Sequence, residues 1–303
     1  MNTPYCLFED VLRRFDPTTD PSDFEQELQS RNPKQKYEAA IENKSNEFEQ
    51  KTGHAWRETR VGSPDAEETY EYHGEDYDKF RRGVKVWLDH REVLPLDPDK
   101  GDSLEVRTGR NNWRDVTDQA GDRYGANYPE GWIRIYAGFR TPARWNREIE
   151  DRNIRVSYRY GSLGGDRGRG GETRLSGSVD DSGGVLPVED ASRLPAHGLV
   201  TLGGSEYARF SGADHGAEEL TGVSRGVRAT DAQAHDAGDT VHYCPLPVRE
   251  AVAAGVACEM ITYDDWTDIL VDADAGLSHS DKREQWNKEF EREAARRAEA
   301  HMV

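Results

Sequence analysis

Cysteine is scarce in this 303-residue chain: Cys6, Cys244 and Cys258 are scattered, odd in number and without C-x-x-C spacing. Neither a disulfide framework nor a cysteine-based zinc site is supported, and a reducing compartment is expected. No stretch approaches the ~18 apolar residues that a membrane span needs. The opening MNTPYCLFED also lacks the basic start and apolar run of a signal peptide. A soluble protein without a membrane partner is expected.

Catalytic signatures are missing as well. No H-E-x-x-H, G-x-S-x-G, DFG or metal-spaced Cys/His set occurs, and nothing singles out one carboxylate pair among 58 acids. The glycine run GSLGGDRGRGG at 161–171 has no lysine-hydroxyl pair and no helix after it, so it is not a phosphate loop. An RGG-type RNA contact sits badly in an acidic chain. No enzyme activity and no cofactor are expected. Lysine is short too: only about nine of the 40 basic residues are lysine, against 58 acids and a net charge of −18. Such a surface suits concentrated salt, where repulsion is screened within roughly 3 Å at 1 M, and it opposes duplex-DNA binding through phosphate neutralisation. A halophilic source is expected.

What is present falls into an ordered series of segments. Asn32-Pro33 offers a helix start, Tyr37, Ile41, Ser45 and Phe48 recur near helical spacing, and Gly53 closes the pattern. Strands are expected at VKVWL (84–88), EVLPL (92–96), LEVRT (104–108), WIRIYAG (132–138) and IRVSYRYG (154–161). Trp56, Trp87, Trp113, Trp132, Trp145 and Trp266 are read as core or interface packing, with Tyr124, Tyr128 and Phe139 as further interface candidates. The 161–171 stretch reads as a flexible hinge.

Residues 172–242 are turn-dense and poor in helix formers, which predicts a small β-domain. Pro247 opens a helix whose Val248, Ala251, Val252 and Val256 share a face. The segment TYDDWTDILVD reads as a short helix or turn. A last helix begins near Ser278-x-x-Asp281 and carries Trp286 and Phe290 at i, i+4. Its charge leaves two readings open: a projecting helix that grips a partner with Trp286 and Phe290, or one that lies on its own domain. The fold class expected is α+β, with a helical core and β-region at 1–160, an inserted all-β module at 161–242, and helices completing the core at 243–303.

Several stretches carry a likeness. IENKSNEFEQKTGHAWRETR resembles a helix ending in "E-x-x-T-G-x-x-W", VSYRYG a "v-x-Y-x-x-G" strand, and YCPLPVREAVAAGVACEM a "vP-x-x-v-x-x-A" helix. In this order they resemble the head–tail adaptor (connector) proteins of long-tailed viruses, over perhaps 220 residues. The family pattern runs from that strand straight into the helix, whereas about eighty residues intervene here. Those residues are similar to a β-module of tail and baseplate proteins, through GVLPVEDASRLPAHGLVTLGGSEYARFSG and ELTGVSRGVRATDAQAHDAGDTV. Ala229 stands where that pattern has glycine, so the turn there is expected to take a negative φ or adjust.

The resemblance implies a virion protein of the neck, made in the host cytoplasm. It implies a homo-oligomeric ring, typically of twelve copies, between the portal protein and a tail completion or stopper protein. Genome DNA would pass through an acidic bore without specific binding. A halophilic archaeal tailed virus would satisfy both the likeness and the acidity. The alternative is a tail or baseplate protein whose β-module reads a host-surface glycan or protein. Within the module, Arg225, Gly226, His235 and Gly238 are read as turn residues, Arg225 pinning a loop through a carbonyl or carboxylate. A metal site at His215, His235, Asp236 and Asp239 is the weaker reading of the same stretch.

Overall fold

A computed structural model describes residues 3–15, 34–62, 70–73, 77–78, 83–108, 112–136, 153–161, 163–164, 169–260 and 279–300. Trp145, Phe139, Trp266, the TYDDWTDILVD segment and the Asn32-Pro33 start lie outside them. The fold is mixed α+β, with four helices and antiparallel sheets among the described residues: α1 (Phe8–Phe15), α2 (Lys34–Thr52), α3 (Leu246–Met260), α4 (His279–Ala300) and strands β1 to β16. Two compact units result, Met1–Arg57 with Ser162–Val303, and Glu58–Gly161. The divisions therefore do not fall at 1–160, 161–242 and 243–303. The 172–242 region shares a unit with the helices, and the 58–161 β-region is the separate one.

In the first unit α3 is the central helix. Val248, Ala251, Val252, Ala253, Ala254, Val256 and Ala257 are all fully or almost fully buried, and α1, α2 and α4 pack around it. A helix apolar on every side belongs inside a cluster. The last helix is seated here, not projecting. Trp286 is 6% exposed and meets Phe15 edge-on at 5.3 Å, and Phe290 is 2% exposed with Phe48 at 5.5 Å. Phe290 also fills the space left by Gly255, where an added Cβ would come within 2.8 Å of its ring. The expected partner grip of Trp286 and Phe290 is corrected, because both rings are consumed by their own domain.

Two small sheets follow in the same unit. One is ordered β10 (Gly171–Arg174), β16 (Thr240–Tyr243), β12 (Gly198–Leu202), β13 (Glu206–Phe210). The other is β11 (Val185–Pro187), β15 (Glu219–Thr221), β14 (Gly212–Asp214). Leu175, Leu186, Val200, Leu202, Phe210, Leu220 and Val241 form a core of their own between them. β16 runs directly into α3. The described end of the 161–171 glycine run is no hinge: Gly171 is in β10, and a Cβ on Gly170 would collide with the carbonyl of Trp56.

The second unit holds two sheets. β9 (Ile154–Tyr160) is paired by β1 (Thr59–Val61), β2 (Glu71–His73) and β5 (Ser103–Arg107), with β6 (Trp113–Asp115) outermost. The other sheet is β3 (Tyr77–Asp78), β4 (Gly83–Trp87), β8 (Trp132–Tyr136), β7 (Tyr124–Asn127). The expected strand at 92–96 is reduced to one bridge, Val93 to Tyr160, since Glu92 takes φ 52° and Pro95 donates no hydrogen bond. Arg159, 4% exposed, donates to the buried Asp102 at 2.9 Å from Nη2 and to Glu58 at 3.1 Å.

Phe290→Ala or Trp286→Ala is expected to lower global stability by about 3–5 kcal/mol in chemical unfolding. Lys288→Ala, at the 73% exposed lysine of the same helix, should cost less than about 0.5 kcal/mol.

Candidate functional site

The stretch 222–241 closes on a residue that sequence reading passed over. Glu206, at the start of β13, is 0% exposed, and its carboxylate accepts four hydrogen bonds with a histidine as a fifth neighbour. Arg225 donates from Nε at 2.6 Å and from Nη2 at 2.8 Å, the amides of Gly226 and Gln233 at 3.0 and 2.9 Å, and His235 Nε2 lies 3.2 Å away. Burial alone would raise the Glu206 pKa; the Arg225 bonds and the two amides outweigh it and hold the carboxyl below its ordinary range. Arg225 also donates to the carbonyls of Asp180 and Gln233 at 2.9 and 2.6 Å, so it pins three chain segments.

This knot has no room for a ligand. A carboxylate offers about four lone-pair sites, and those of Glu206 are all engaged. His235 is 6% exposed, with Nδ1 3.1 Å from Asp239 Oδ2, which also accepts the Asp236 amide at 3.2 Å. Among the described residues no group of three or more His, Cys, Asp or Glu is arranged to hold a metal ion. Gly226 has φ +59°, and a Cβ there would come within 2.7 Å of the Ala232 nitrogen. Gly238 has φ +92° with open space around it, so only its turn demands glycine. The knot is a structural closure, and Glu206 entered the sequence reading only as one acid within the quoted GVLPVEDASRLPAHGLVTLGGSEYARFSG stretch.

Ala229 did not adjust as expected: it stays left-handed at φ 62°, as does Arg228 at 61°. That turn aims Arg228 at α1. The buried Asp10 accepts from Arg228 Nη2 at 2.7 Å and Nε at 3.0 Å, from the Leu7 amide at 3.2 Å, and from the Tyr207 hydroxyl. Arg228 also lies 3.4 Å from Glu250, which pairs with Arg14 at 2.7 Å. Two strained residues are thereby tied to the helices through a buried carboxylate.

A second tie is made at Trp56, which is fully buried. Its amide donates to Tyr5 Oη at 2.7 Å, and its carbonyl accepts His242 Nε2 at 2.9 Å. His242 is 1% exposed and its Nδ1 has no hydrogen-bond partner. Burial, reinforced by the Arg57 charge, pulls its pKa down to about 4 despite the bond to Trp56. The ring is neutral in the fold. The other aromatics read as core or interface divide between the two. Trp113 is half-buried on a sheet face beneath Arg155 at 4.6 Å, and Trp132 is half-buried beside Lys85 at 4.3 Å, so neither is core. Tyr124, by contrast, is 1% exposed and donates to the Thr117 carbonyl at 2.9 Å.

No protein-family model matches this chain, and no curated protein and no solved structure is similar to it.

Arg225→Met strands a buried carboxylate and is expected to cost about 3–5 kcal/mol, measured by urea unfolding. Ala229→Gly relieves a left-handed alanine and should raise stability by about 1 kcal/mol in the same assay. For pH, the unfolded chain protonates His242 near the ordinary 6.5, while the folded chain resists down to about 4. Stability therefore falls as pH drops through that window, by about 3 kcal/mol from this one group. His242→Phe should flatten the slope between those pH values while lowering stability at neutral pH.

Proposed function

We propose that this chain is a structural virion protein of the head–tail adaptor kind, a ring subunit between the portal protein and the tail. The observation that carries the reading is the end of α2, where the stretch resembling "E-x-x-T-G-x-x-W" is built as one device. Gly53 takes φ 64° and its amide closes on the Glu49 carbonyl at 2.8 Å. Glu49 accepts Tyr5 Oη at 2.5 Å and Arg57 Nε at 2.7 Å, Thr52 Oγ1 donates to the Phe48 carbonyl at 2.8 Å, and Trp56 enters the core. Each residue of the pattern has a physical task in that turn.

The order of elements supports the same reading: α2, then the sheet ending in β9, then α3 opening at Leu246-Pro247. The departure is the 171–243 region between β9 and α3, which we read as an inserted tail-type module fastened to the helical core by Asp10–Arg228 and His242–Trp56. That fastening favours the adaptor over a tail protein whose module swings free to read a host glycan or protein. The acidity fits a bore that genome DNA traverses without binding wells, and equally a halophilic host. The partners are then further copies of the chain, the portal, and a stopper or tail completion protein.

Electron microscopy of the purified chain, alone and mixed with its portal, tests this. Closed rings with a central hole, of the twelve-copy kind the resemblance implies, are the expected result. Monomers under both conditions would sink the reading.

A further inference from the structure

One sheet face in the second unit violates a local rule. On β4 and β8 the inward positions are apolar, with Val86, Ile133 and Ile135 buried, while Lys85, Trp87, Trp132, Arg134 and Tyr136 share the other face. Lys85 and Arg134 are direct cross-strand partners, and Trp87 faces Trp132. Two like charges placed opposite each other destabilise a sheet by several tenths of a kcal/mol, and in this chain acids are in excess. Yet neither cation has a carboxylate partner among the described residues, and Arg134 Nε has no hydrogen-bond partner at all. Their company is aromatic: Lys85 Nζ lies 3.7 Å from the Trp87 ring centre and 4.3 Å from that of Trp132, and Arg134 lies 5.3 Å from Trp132. Trp87 is 57% exposed and Tyr136 38%.

The contrast with other cations is plain. Arg57, Arg155, Arg159, Arg225 and Arg228 each have a carboxylate at 2.6–2.9 Å. A pair of adjacent cations left unneutralised on an exposed tryptophan and tyrosine surface has the make-up of an interface centre, where Trp, Tyr and Arg carry most of the binding energy. Glu130, the carboxylate bound at this face, is spent on the Trp132 indole N–H at 2.8 Å and leaves both cations unpaired, while the chain itself carries 18 more acids than bases.

We infer that the Lys85–Trp87–Trp132–Arg134–Tyr136 face docks onto an acidic surface of a second copy of this chain. The contact is head-to-tail. Face against identical face would bring four cations together, so the complement lies on a different surface of the partner, and such a heterologous contact either closes into a ring or extends as a filament. This deepens the ring reading and rests on it for closure, while the face itself is argued from charge and exposure. Two bodies of −18 repel at low salt, and screening at molar salt removes that repulsion while the stacked, desolvated centre persists. Self-association therefore strengthens with salt, the reverse of an ordinary charge-paired interface.

Sedimentation velocity of the full chain at low and at molar salt, with Lys85→Glu and Trp87→Ala, tests the inference. Lys85→Glu places an acid opposite Arg134, so its fold should be as stable as wild type or more so in thermal unfolding, while self-association weakens at least about tenfold, equivalent to about 1.4 kcal/mol. Lys85→Arg should assemble like wild type. If wild type assembles and both Lys85→Glu and Trp87→Ala assemble equally well, the face is wrong and the ring reading stands. A wild type that stays monomeric at every salt overturns both. Fluorescence anisotropy with a labelled single-stranded oligonucleotide is run in parallel: binding that Lys85→Glu abolishes, with self-association unchanged, would overturn the inference in favour of a nucleic-acid platform.

Discussion

The first unit depends on how the backbone at Trp56 is used. Its amide is taken by Tyr5, its carbonyl by His242, and its ring is covered by Phe48 and His54 at 5.5 and 4.4 Å. One residue thus joins the N-terminal segment, the end of α2 and the strand β16. The carbonyl also explains a residue far away in sequence, because Gly170 lies so close to it that no side chain fits. The unsatisfied Nδ1 of His242 is a cost of the arrangement, imposed by a core that excludes water from it.

Arginine does what lysine is too scarce to do. A guanidinium presents a planar fork that matches a carboxylate, and the structure repeats this at Arg225–Glu206, Arg228–Asp10, Arg155–Glu105 and Arg159–Asp102. Each joins segments distant in sequence, Arg228 and Asp10 by 218 positions. In an acid-rich chain these forks, with Arg57–Glu49, neutralise carboxylates that folding buries among the described residues.

How much of this was legible in the sequence follows from the range of the forces involved. α2, α3 and most of the expected strands were readable because period, caps and proline act within a few residues. α1 was not: FEDVLRRF is eight residues long, and its Asp10 and Arg14 are explained by partners more than 190 positions away. The tryptophan readings divided for the same reason. Trp286 meets Phe15 from a distant element and Trp56 meets Tyr5 besides its local Phe48 and His54, whereas Trp132 sits on an outward strand position that parity alone would have flagged. The division into units also escaped, since it is decided by Asp10–Arg228 and His242–Trp56 and not by composition.

The approach of Trp56 to Gly170 has one more implication. The chain leaves the helical unit just after Trp56 and has rejoined it by Gly170, so departure and return points touch. A short bridge from Trp56 to Gly170 would therefore close the chain of the helical unit without residues 58–161 and keep the contacts made within that unit. A lineage could exchange, enlarge or lose the 58–161 unit without renegotiating the rest of the fold, and a laboratory could graft another domain at the same point.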